Sequence, residues 1–367
     1  MKKVLLVGCG KIGATILDLL HGSGDFRVTV GDCLENAAGR IVHSGVEMRH
    51  LDVRDARALD ASLAGHDAVI CAGPHDVTLE VIAAAARGRI AYFDLTEDVR
   101  SADGAKVAAS KSESLFVPQC GLAPGIVSIA AAHLARRFDR LDKVHLRVGA
   151  LPQFPTNALK YNLTWSTDGL INEYLNRCRV VAEGKQLEAA PLEGLEEFLL
   201  DGVSYEAFNT SGGVGTLCDT LGDRAREINY KTVRYPGHRA IMKLLIDDLR
   251  LGGRRDLLKD ILEQAVPLTN QDVVLIFVSV TGEINGRFVQ SSYVKKVYGQ
   301  AFHGVERSAI QITTASALCA VVDLWREGQL PAKGFVRQED IPFEAVTANR
   351  FGKIFAGGSP QSGMLAA

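Results

Sequence analysis

The stretch that decides the fold runs from Val4 to Gly13 and reads VLLVGCGKIG. Its apolar start predicts a short buried strand that ends at the first glycine. Apolar residues then recur at helical spacing over Ile12–Leu20, which predicts a helix directly after the glycines. The stretch therefore predicts a strand, a glycine-rich turn and a helix in immediate succession.

The glycines of this turn stand at the spacing G-x-G-x-x-G. The first permits the tight turn, the second lets a diphosphate approach the backbone, and the third lets the helix pack closely on the strand. The helix N-terminus adds free N–H groups and the positive end of its dipole. We therefore predict a dinucleotide site, the alternative being a glycine turn without a ligand. Its predicted residues are Gly8, Gly10, Lys11, Ile12 and Gly13.

An acidic residue, Asp32, follows Gly13 by nineteen positions and stands just after the predicted strand Phe26–Val30. A carboxylate at this point accepts hydrogen bonds from the adenosine ribose of NAD and repels the 2′-phosphate of NADP. The sequence therefore predicts NAD as the cofactor, with NADP the less favoured alternative.

Short strands alternate with helical patterns through the first third of the chain. Further strands are predicted at Glu47–Asp52, Ala68–Ala72, Ala91–Leu95 and Leu115–Pro118. This alternation predicts an α/β domain of the Rossmann type, a doubly wound parallel sheet covered by helices on both faces.

The pattern changes after residue 125. Longer alternating strands are predicted, as at Lys143–Ala150, Ala158–Thr164 and Asp272–Thr281, with helices such as Thr167–Leu175 and Ala240–Arg250 among them. We therefore predict a second, α+β domain with a mixed, largely antiparallel sheet.

The composition excludes several classes of protein. The 367 residues are 47% hydrophobic and 23% charged, which is typical of globular proteins and excludes disordered and fibrous chains. The net charge of −2 gives no footprint for nucleic acid or an anionic membrane surface, and no apolar run approaches the ~18–20 residues that cross a bilayer. Seven widely spaced cysteines without a C-x-x-C predict neither disulfides nor a metal site, and favour the cytoplasm.

Three loops follow predicted strands at the edge where an open α/β sheet binds its ligand. Their residues expected to surround a nicotinamide are Cys71, Ala72, Gly73, Pro74, Gly121 and Pro124. His75 fits a proton carrier, a substrate contact or a surface histidine. Asp94 and Glu97 fit a general base, an anchor for an ammonium group or a solvated acidic loop.

Polar and aromatic residues also stand out in three stretches of the second domain, residues 151–157, 161–169 and 231–238. Residues 231–238 read KTVRYPGH, in which Arg234 suits bidentate capture of a carboxylate or a structural ion pair. His238 fits a substrate contact or a helix start. Trp165, in the stretch 161–169, fits either a ligand-binding surface or the hydrophobic core.

The chain resembles the saccharopine dehydrogenase-like superfamily from Gly8 to about Phe351. The motifs that carry the resemblance are GCGKIG, CAGPH, YFDLTED, CGLAPG, LPQFPTNALKYNLTWSTDGLINEY and KTVRYPGH. Within it, TWSTDGLINEY and RYPGH are most similar to the lysine 6-dehydrogenase branch. The resemblance implies a homodimer with a Rossmann domain over 1–125, a substrate-binding and dimerisation domain over 126–302, and a C-terminal segment, 303–355, that returns to the first domain. We expect residues 356–367 to form a mobile tail.

The resemblance implies NAD-dependent oxidative deamination of the ε-amino group of L-lysine, whose aldehyde product cyclises to a piperideine carboxylate. An ammonium of pKa ~10.4 must lose a proton before a hydride can leave, and we expect Asp94 or His75 to accept that proton. The residues expected to bind the substrate, with its α-carboxylate on Arg234, are Arg234, His238, Asn157, Tyr161 and Trp165.

Two other functions fit the same sequence. One is reductive amination, in which an aldehyde and an amine are joined, as in saccharopine reductase or carboxynorspermidine dehydrogenase. The other is an NAD-binding sensor without turnover. In every case we expect a small amino acid or amine as ligand, and no nucleic acid, membrane or metal.

Overall fold

Two compact units make up the chain in a computed structural model, which describes residues 1–34, 39, 43, 45–302, 304–357 and 361–364. The first unit contains Met1–Ile129 and Gln311–Ala356, and the second contains Ala130–Ile310 and the residues from Gly357. The two main divisions of the chain lie a few residues after the positions predicted at 125 and 302.

A parallel sheet forms the centre of the first unit. Its strands are β1 (Lys2–Val7), β2 (Phe26–Asp32), β3 (Glu47–His50), β4 (Ala68–Cys71), β5 (Ala91–Asp94), β6 (Leu115–Val117) and β17 (Gly334–Phe335). All neighbours are parallel, in the order β17-β6-β5-β4-β1-β2-β3. Strands β2 and β3 lie on one side of β1, and β4 to β6 lie on the other, so the order of the strands reverses between β1 and β4. Ligands of open α/β sheets bind at such a point. The predicted doubly wound sheet is confirmed.

Helices bury both faces of this sheet, so that every residue of β4 and β5 is buried. The sequence also sets where some of them begin. Asp55 accepts hydrogen bonds from the first N–H groups of one helix, and Asp98 does so for another. The helices of this unit are α1 (Lys11–Gly22), α2 (Ala56–Leu63), α3 (Thr78–Gly88), α4 (Val99–Lys111) and α11 (Phe343–Ala348), together with α10 (Ala309–Arg326) except its first two residues. Helix α5 (Ile126–Ala135) spans the division between the units, with its first four residues in the first.

The second unit contains a nine-stranded mixed sheet. Its strands are β7 (Arg140–Pro152), β8 (Cys178–Ala182), β9 (Lys185–Ala189), β10 (Glu196–Leu200), β11 (Val203–Asn209), β12 (Glu227–Arg234), β13 (Asp272–Ile284), β14 (Arg287–Tyr298) and β18 (Gln361–Met364). The order is β10-β11-β12-β7-β13-β14-β18, with β8 on β12 and β9 on β8. Every pair is antiparallel except β7 with β12. The predicted largely antiparallel sheet is confirmed.

Short helices pack beside this sheet. They are α6 (Thr167–Leu175), α7 (Leu217–Leu221), α8 (His238–Lys243) and α9 (Arg255–Ala265), and β15 (Gln300–Phe302) and β16 (Val305–Arg307) form a separate hairpin. Leu170 and Ile171 of α6 share one apolar core cluster with Leu258 and Leu262 of α9. This cluster also contains Tyr161, so it holds part of the candidate site in place.

The strand predicted at Ala158–Thr164 is wrong. The Asn157 side chain donates from Nδ2 to the Tyr161 carbonyl at 2.7 Å and accepts from Tyr161 N at 3.3 Å. Lys160 between them has a φ of +51°. A side chain that takes up backbone groups in this way competes with a sheet ladder, so the segment is a loop.

The predicted tail, 356–367, contains a strand. Gln361–Met364 pairs with Val289–Ser292 of β14. Residues 358–360 and 365–367 lie outside the described residues.

Three further observations concern the described part of the chain. It contains no helix that combines the length and apolar character of a membrane span. It contains no group of three or more His, Cys, Asp or Glu side chains placed to hold a metal ion. All seven cysteines belong to it, and none forms a disulfide.

Candidate functional site

The turn between β1 and α1 is closed by contacts that only glycine permits. Gly8 has a φ of +92°, and a Cβ there would lie 2.8 Å from Gly73 N. A Cβ on Gly13 would lie 2.1 Å from the Gly8 carbonyl oxygen. Gly8 is therefore needed for the left-handed conformation, and Gly13 for the close packing of α1 on the turn.

Gly10, by contrast, borders open space. It is the N-cap residue of α1, no side chain caps the helix, and a Cβ there would meet no described atom within 4 Å. The N–H groups of the first turn, at Lys11, Ile12 and Gly13, have no partner inside a helix and carry the positive end of its dipole. These residues fit the diphosphate of a dinucleotide, which the backbone would hold.

Asp32 at the end of β2 is fastened to this turn. Its Oδ2 accepts a hydrogen bond from Cys9 N at 2.7 Å, and its Oδ1 accepts one from Leu34 N at 2.8 Å. Each carboxylate oxygen has two lone pairs, so Asp32 can still accept a hydrogen bond from a ribose hydroxyl.

The loop after β4 lies beside the glycine turn, because Ala72 N donates to the Val7 carbonyl at 2.8 Å. Ala72 and Gly73 are half-buried, and Pro74 is exposed. Burial raises the pKa of the Cys71 thiol to about 12, so Cys71 lines the loop as a neutral group. The structure therefore brings this loop and the glycine turn to one point.

The two predicted proton acceptors lie in different surroundings. His75 is exposed and begins a 3-10 helix after β4. Asp94 is 1% exposed, and its carboxylate accepts hydrogen bonds from Tyr92 OH at 2.6 Å, Gln119 N at 2.7 Å and Thr96 N at 3.1 Å. Burial raises the pKa of Asp94 to about 6 in spite of these hydrogen bonds. Asp94 thus holds the chain at Gln119 in place, and the catalytic role of either residue stays a prediction.

The loop after β6 is also closed on itself. Gly125 has a φ of +136°, and a Cβ there would lie 1.9 Å from the Gly121 carbonyl oxygen. Pro124 lies within this turn, after a cis peptide bond. Its predicted place over a nicotinamide stays a prediction.

In the second unit, Arg234 at the end of β12 is buried among aromatic rings. It is 2% exposed, and its Cζ lies 4.9 Å from the ring centroid of Tyr161. Nε donates to Tyr174 OH at 3.0 Å and Nη1 donates to the Val233 carbonyl at 2.9 Å. Within the described part of the chain, Nη2 donates to no group and the guanidinium forms no direct ion pair.

His238 completes this arrangement as a neutral ring. Its Nδ1 lies 2.9 Å from the Leu159 carbonyl, which assigns the proton to Nδ1, and its Nε2 accepts from Tyr174 OH at 2.9 Å. Burial and the charge of Arg234 lower the pKa of His238 to about 3. Hydrogen bonds therefore run in one direction, from Arg234 through Tyr174 to His238.

Trp165 and Asn157 hold Tyr161 from two sides. Trp165 Nε1 donates to Tyr161 OH at 3.1 Å, and Asn157 bonds the Tyr161 backbone. The structure thus brings together the predicted substrate residues of the second unit. We call Tyr161, Trp165, Tyr174, Arg234 and His238 the Arg234 cluster.

Sequence reasoning missed two residues of α6, Glu173 and Tyr174. Tyr174 links Arg234 to His238, and Glu173 is a buried acid 7% exposed. The available signal was helical spacing, because residues 170, 173 and 174 fall on one face of a helix with an apolar core side. An acid on such a face requires a partner or a function.

Family models match both parts of the chain. Residues 4–115 match the saccharopine dehydrogenase NADP binding domain, and residues 121–355 match the saccharopine dehydrogenase C-terminal domain.

Two fungal proteins, each named saccharopine dehydrogenase [NADP(+), L-glutamate-forming], are similar in sequence. That of Pyricularia oryzae is 27% identical over 286 residues, which cover 72% of this chain and 61% of the relative. That of Schizosaccharomyces pombe is 22% identical over 267 residues, which cover 67% of this chain and 58% of the relative. The chain thus spans about three-fifths of the length of these relatives.

Two solved structures share the fold. Saccharopine dehydrogenase (L-Glu forming) from Saccharomyces cerevisiae superposes with a TM-score of 0.81 at 19% identity, over 100% of both chains. Homospermidine synthase from Legionella pneumophila, in complex with NAD, superposes with a TM-score of 0.69 at 14% identity, over 99% of this chain and 91% of the other. Since the matched C-terminal domain alone covers more than half of the chain, the chain belongs to the saccharopine dehydrogenase family.

Proposed function

We propose that the protein is an NAD-dependent oxidoreductase acting on a C–N bond of an amino acid, and that it oxidatively deaminates the ε-amino group of L-lysine. The observation that carries the proposal is the buried Arg234 guanidinium, which has no direct ion pair in the described part of the chain. A buried charge without a counter-charge in direct contact is costly, and a substrate carboxylate would supply that contact.

NAD is the proposed cofactor. A bound nicotinamide supplies a hydride acceptor. The buried carboxylate of Asp32, fixed beside the glycine turn, supports NAD because it would repel a 2′-phosphate. NADP is the alternative, as in the names of the fungal relatives. In Asp32→Ser, the ratio of KM for NADP to KM for NAD should fall at least tenfold; an unchanged ratio would refute this role.

Of the two proton acceptors, we favour His75 over Asp94. His75 is exposed, whereas Asp94 is buried with three hydrogen bonds on its carboxylate. General-base removal costs roughly 10²–10⁴-fold in rate, so His75→Gln should lower kcat by that amount with little change in KM. A kcat within threefold of the wild type would exclude His75.

We also propose a homodimer, which rests on the family resemblance alone. A reducing compartment is proposed from the seven free cysteines. Light scattering of the purified protein tests the dimer. A mass equal to one chain at micromolar concentration would refute it.

The central experiment is a panel of amino acids and diamines with NAD and NADP, followed at 340 nm in both directions. Lysine deamination predicts NAD reduction with L-lysine alone and release of ammonia. Reductive amination instead predicts oxidation of the reduced cofactor only when an aldehyde and an amine are both present. Cofactor binding without any absorbance change would indicate a sensor.

A further inference from the structure

Glu173 of α6 is a buried acid whose carboxylate has no structural partner. It is 7% exposed, and within the described part of the chain no hydrogen bond or direct ion pair reaches its side chain. Only its backbone is engaged, since its carbonyl accepts from Ser211 N at 3.1 Å. Helix formation and packing therefore give no reason for an acid at this position.

A comparison with Glu206 shows what a structural acid looks like in the same region. Glu206 stands opposite Arg234 in the register of β11 and β12, and it too is buried. Its carboxylate accepts hydrogen bonds from Gly237 N at 2.9 Å and Arg239 N at 2.6 Å. Glu206 thus fastens the turn before α8, whereas Glu173 fastens nothing.

The Glu173 carboxylate lies within electrostatic reach of the Arg234 cluster. Burial is the largest cause of the raised pKa of Tyr161, Tyr174 and Cys178, and the charge of Glu173 raises each of these pKa values further. The charge of Glu173 also interacts with that of Arg234. Burial raises the pKa of Glu173 itself to about 7, although the charge of Arg234 opposes this shift. The acid and the guanidinium thus influence each other without touching.

Two buried, opposite charges that do not form a direct ion pair are costly to hold in a folded chain. The arrangement is favourable when a ligand carrying both charges binds them, because each buried charge then gains a partner. The head group of an α-amino acid is such a ligand, with a carboxylate and an ammonium on one carbon.

We propose that Glu173 binds the α-ammonium group of the substrate while Arg234 binds its carboxylate, so that the site selects α-amino acids. The inference rests on the proposed function and names its substrate class. An ammonium group offers three N–H donors, and the carboxylate of Glu173 accepts them. A diamine has no carboxylate for Arg234 to bind. An ω-amino acid without an α-amino group has no ammonium group for Glu173 to bind.

Steady-state kinetics with NAD tests the assignment on three compounds. These are L-lysine, 6-aminohexanoate, which lacks the α-amino group, and cadaverine, which lacks the carboxylate. The enzymes are the wild type, Glu173→Gln and a matched control, Glu188→Gln, at an exposed position of β9. If the panel identifies another amino acid as substrate, that compound and its desamino analogue replace the first two.

Hydrogen bonds to charged groups contribute about 1.5–3 kcal/mol, so Glu173→Gln should raise KM for L-lysine about tenfold to a hundredfold. We expect kcat to stay within threefold and KM for 6-aminohexanoate to stay unchanged. Glu188→Gln should match the wild type on both compounds. In the wild type, KM for 6-aminohexanoate should exceed that for L-lysine by a similar factor, and this comparison needs no variant.

Each alternative gives a different result. An equal rise of KM on both compounds means a structural role and overturns the inference, as does a loss of kcat on both with KM unchanged. Equal wild-type KM values for the two compounds overturn it even if Glu173→Gln fails to fold. Turnover of cadaverine as efficient as that of L-lysine removes the requirement for an α-amino acid. A wild type that oxidises no amino acid refutes the proposed function itself.

Discussion

The Tyr174 hydroxyl lies 2.9 Å from Nε2 of His238, and both side chains are buried in the second unit. Because the other ring nitrogen of His238 donates to the Leu159 carbonyl, Nε2 must accept from the hydroxyl. The hydroxyl lone pairs are then available to Arg234 Nε, which lies 3.0 Å away. Tyr174 and His238 are therefore positioning residues that orient the guanidinium.

Replacing Arg234 tests whether it binds a carboxylate. Arg234→Lys keeps the charge but loses the planar fork, so KM for the amino acid substrate should rise about tenfold to a hundredfold while kcat falls less. Arg226→Lys, at an exposed pair with Asp142, is the matched control and should leave KM unchanged. Initial rates at 340 nm measure both, and an unchanged KM in Arg234→Lys would remove Arg234 from the site.

Tyr174→Phe tests the positioning role separately. It removes one neutral hydroxyl, so we expect a loss of roughly 0.5–1.5 kcal/mol, or about twofold to tenfold in KM. The effect should be nearly absent in an Arg234→Lys background, because the group that Tyr174 orients has already changed. Full additivity of the two changes would argue against the coupling.

Alanine variants of Gly10 and Gly22, at the two ends of α1, distinguish an effect on cofactor binding from an effect on folding. A Cβ at either position meets no described atom within 4 Å, so neither alanine should disturb the fold. Only Gly10 stands where a diphosphate would approach the backbone. Calorimetry should show Gly10→Ala binding NAD at least tenfold more weakly and Gly22→Ala binding it normally. Equal affinities would contradict a diphosphate at this turn.

The lowered pKa of His238 predicts a loss of stability in acid. The folded protein keeps His238 neutral down to about pH 3, whereas the unfolded chain takes up a proton below about 6.5. The contribution of His238 to the free energy of unfolding is therefore fully present above pH 6.5. By pH 5 the free energy of unfolding should have fallen by about 2 kcal/mol. Urea unfolding of the wild type and His238→Asn should show their difference shrinking from pH 7 to pH 5.

The raised pKa of Glu173 predicts the opposite dependence of stability on pH, with stability lost as the pH rises. Its folded pKa of about 7 lies above its ordinary value of 4.5, so the folded state holds a proton that the unfolded chain releases as the pH rises. The charge of Glu173 then lowers the free energy of unfolding by about 3 kcal/mol above pH 7. Glu173→Gln should therefore be more stable than the wild type at pH 8, and at pH 5 the difference should shrink to about 1 kcal/mol or less, by urea unfolding. A variant that is less stable at pH 8 would show that the carboxylate stabilises the fold.

Local pattern was sufficient to predict strands β1 to β6 of the first unit, although it did not predict β17. The meeting of Gly8, Gly10, Gly13 and Asp32 at one turn could be predicted from the sequence, because the turn depends on residues close together along the chain. Their binding of a cofactor stays a prediction. Local pattern was also sufficient for α6, whose bounds were predicted as Thr167–Leu175. The loop at Ala158–Thr164 was not predicted, because its apolar residues also fit a strand. The hydrogen bond from the Asn157 side chain to the Tyr161 backbone, which makes it a loop, cannot be recognised from the pattern of apolar residues.

The sequence by itself determined the alternation of strands and helices over the first third of the chain, the glycine turn with its acid, and the residue types available for binding. Only the tertiary structure decided that Tyr174 meets Arg234 and His238, and that Glu173 is buried within the field of Arg234. The physical reason is range. Periodicity and turn chemistry act over a few residues, whereas α6 and the end of β12 are joined by packing across some sixty positions, and no local pattern records which side chains that packing brings into contact.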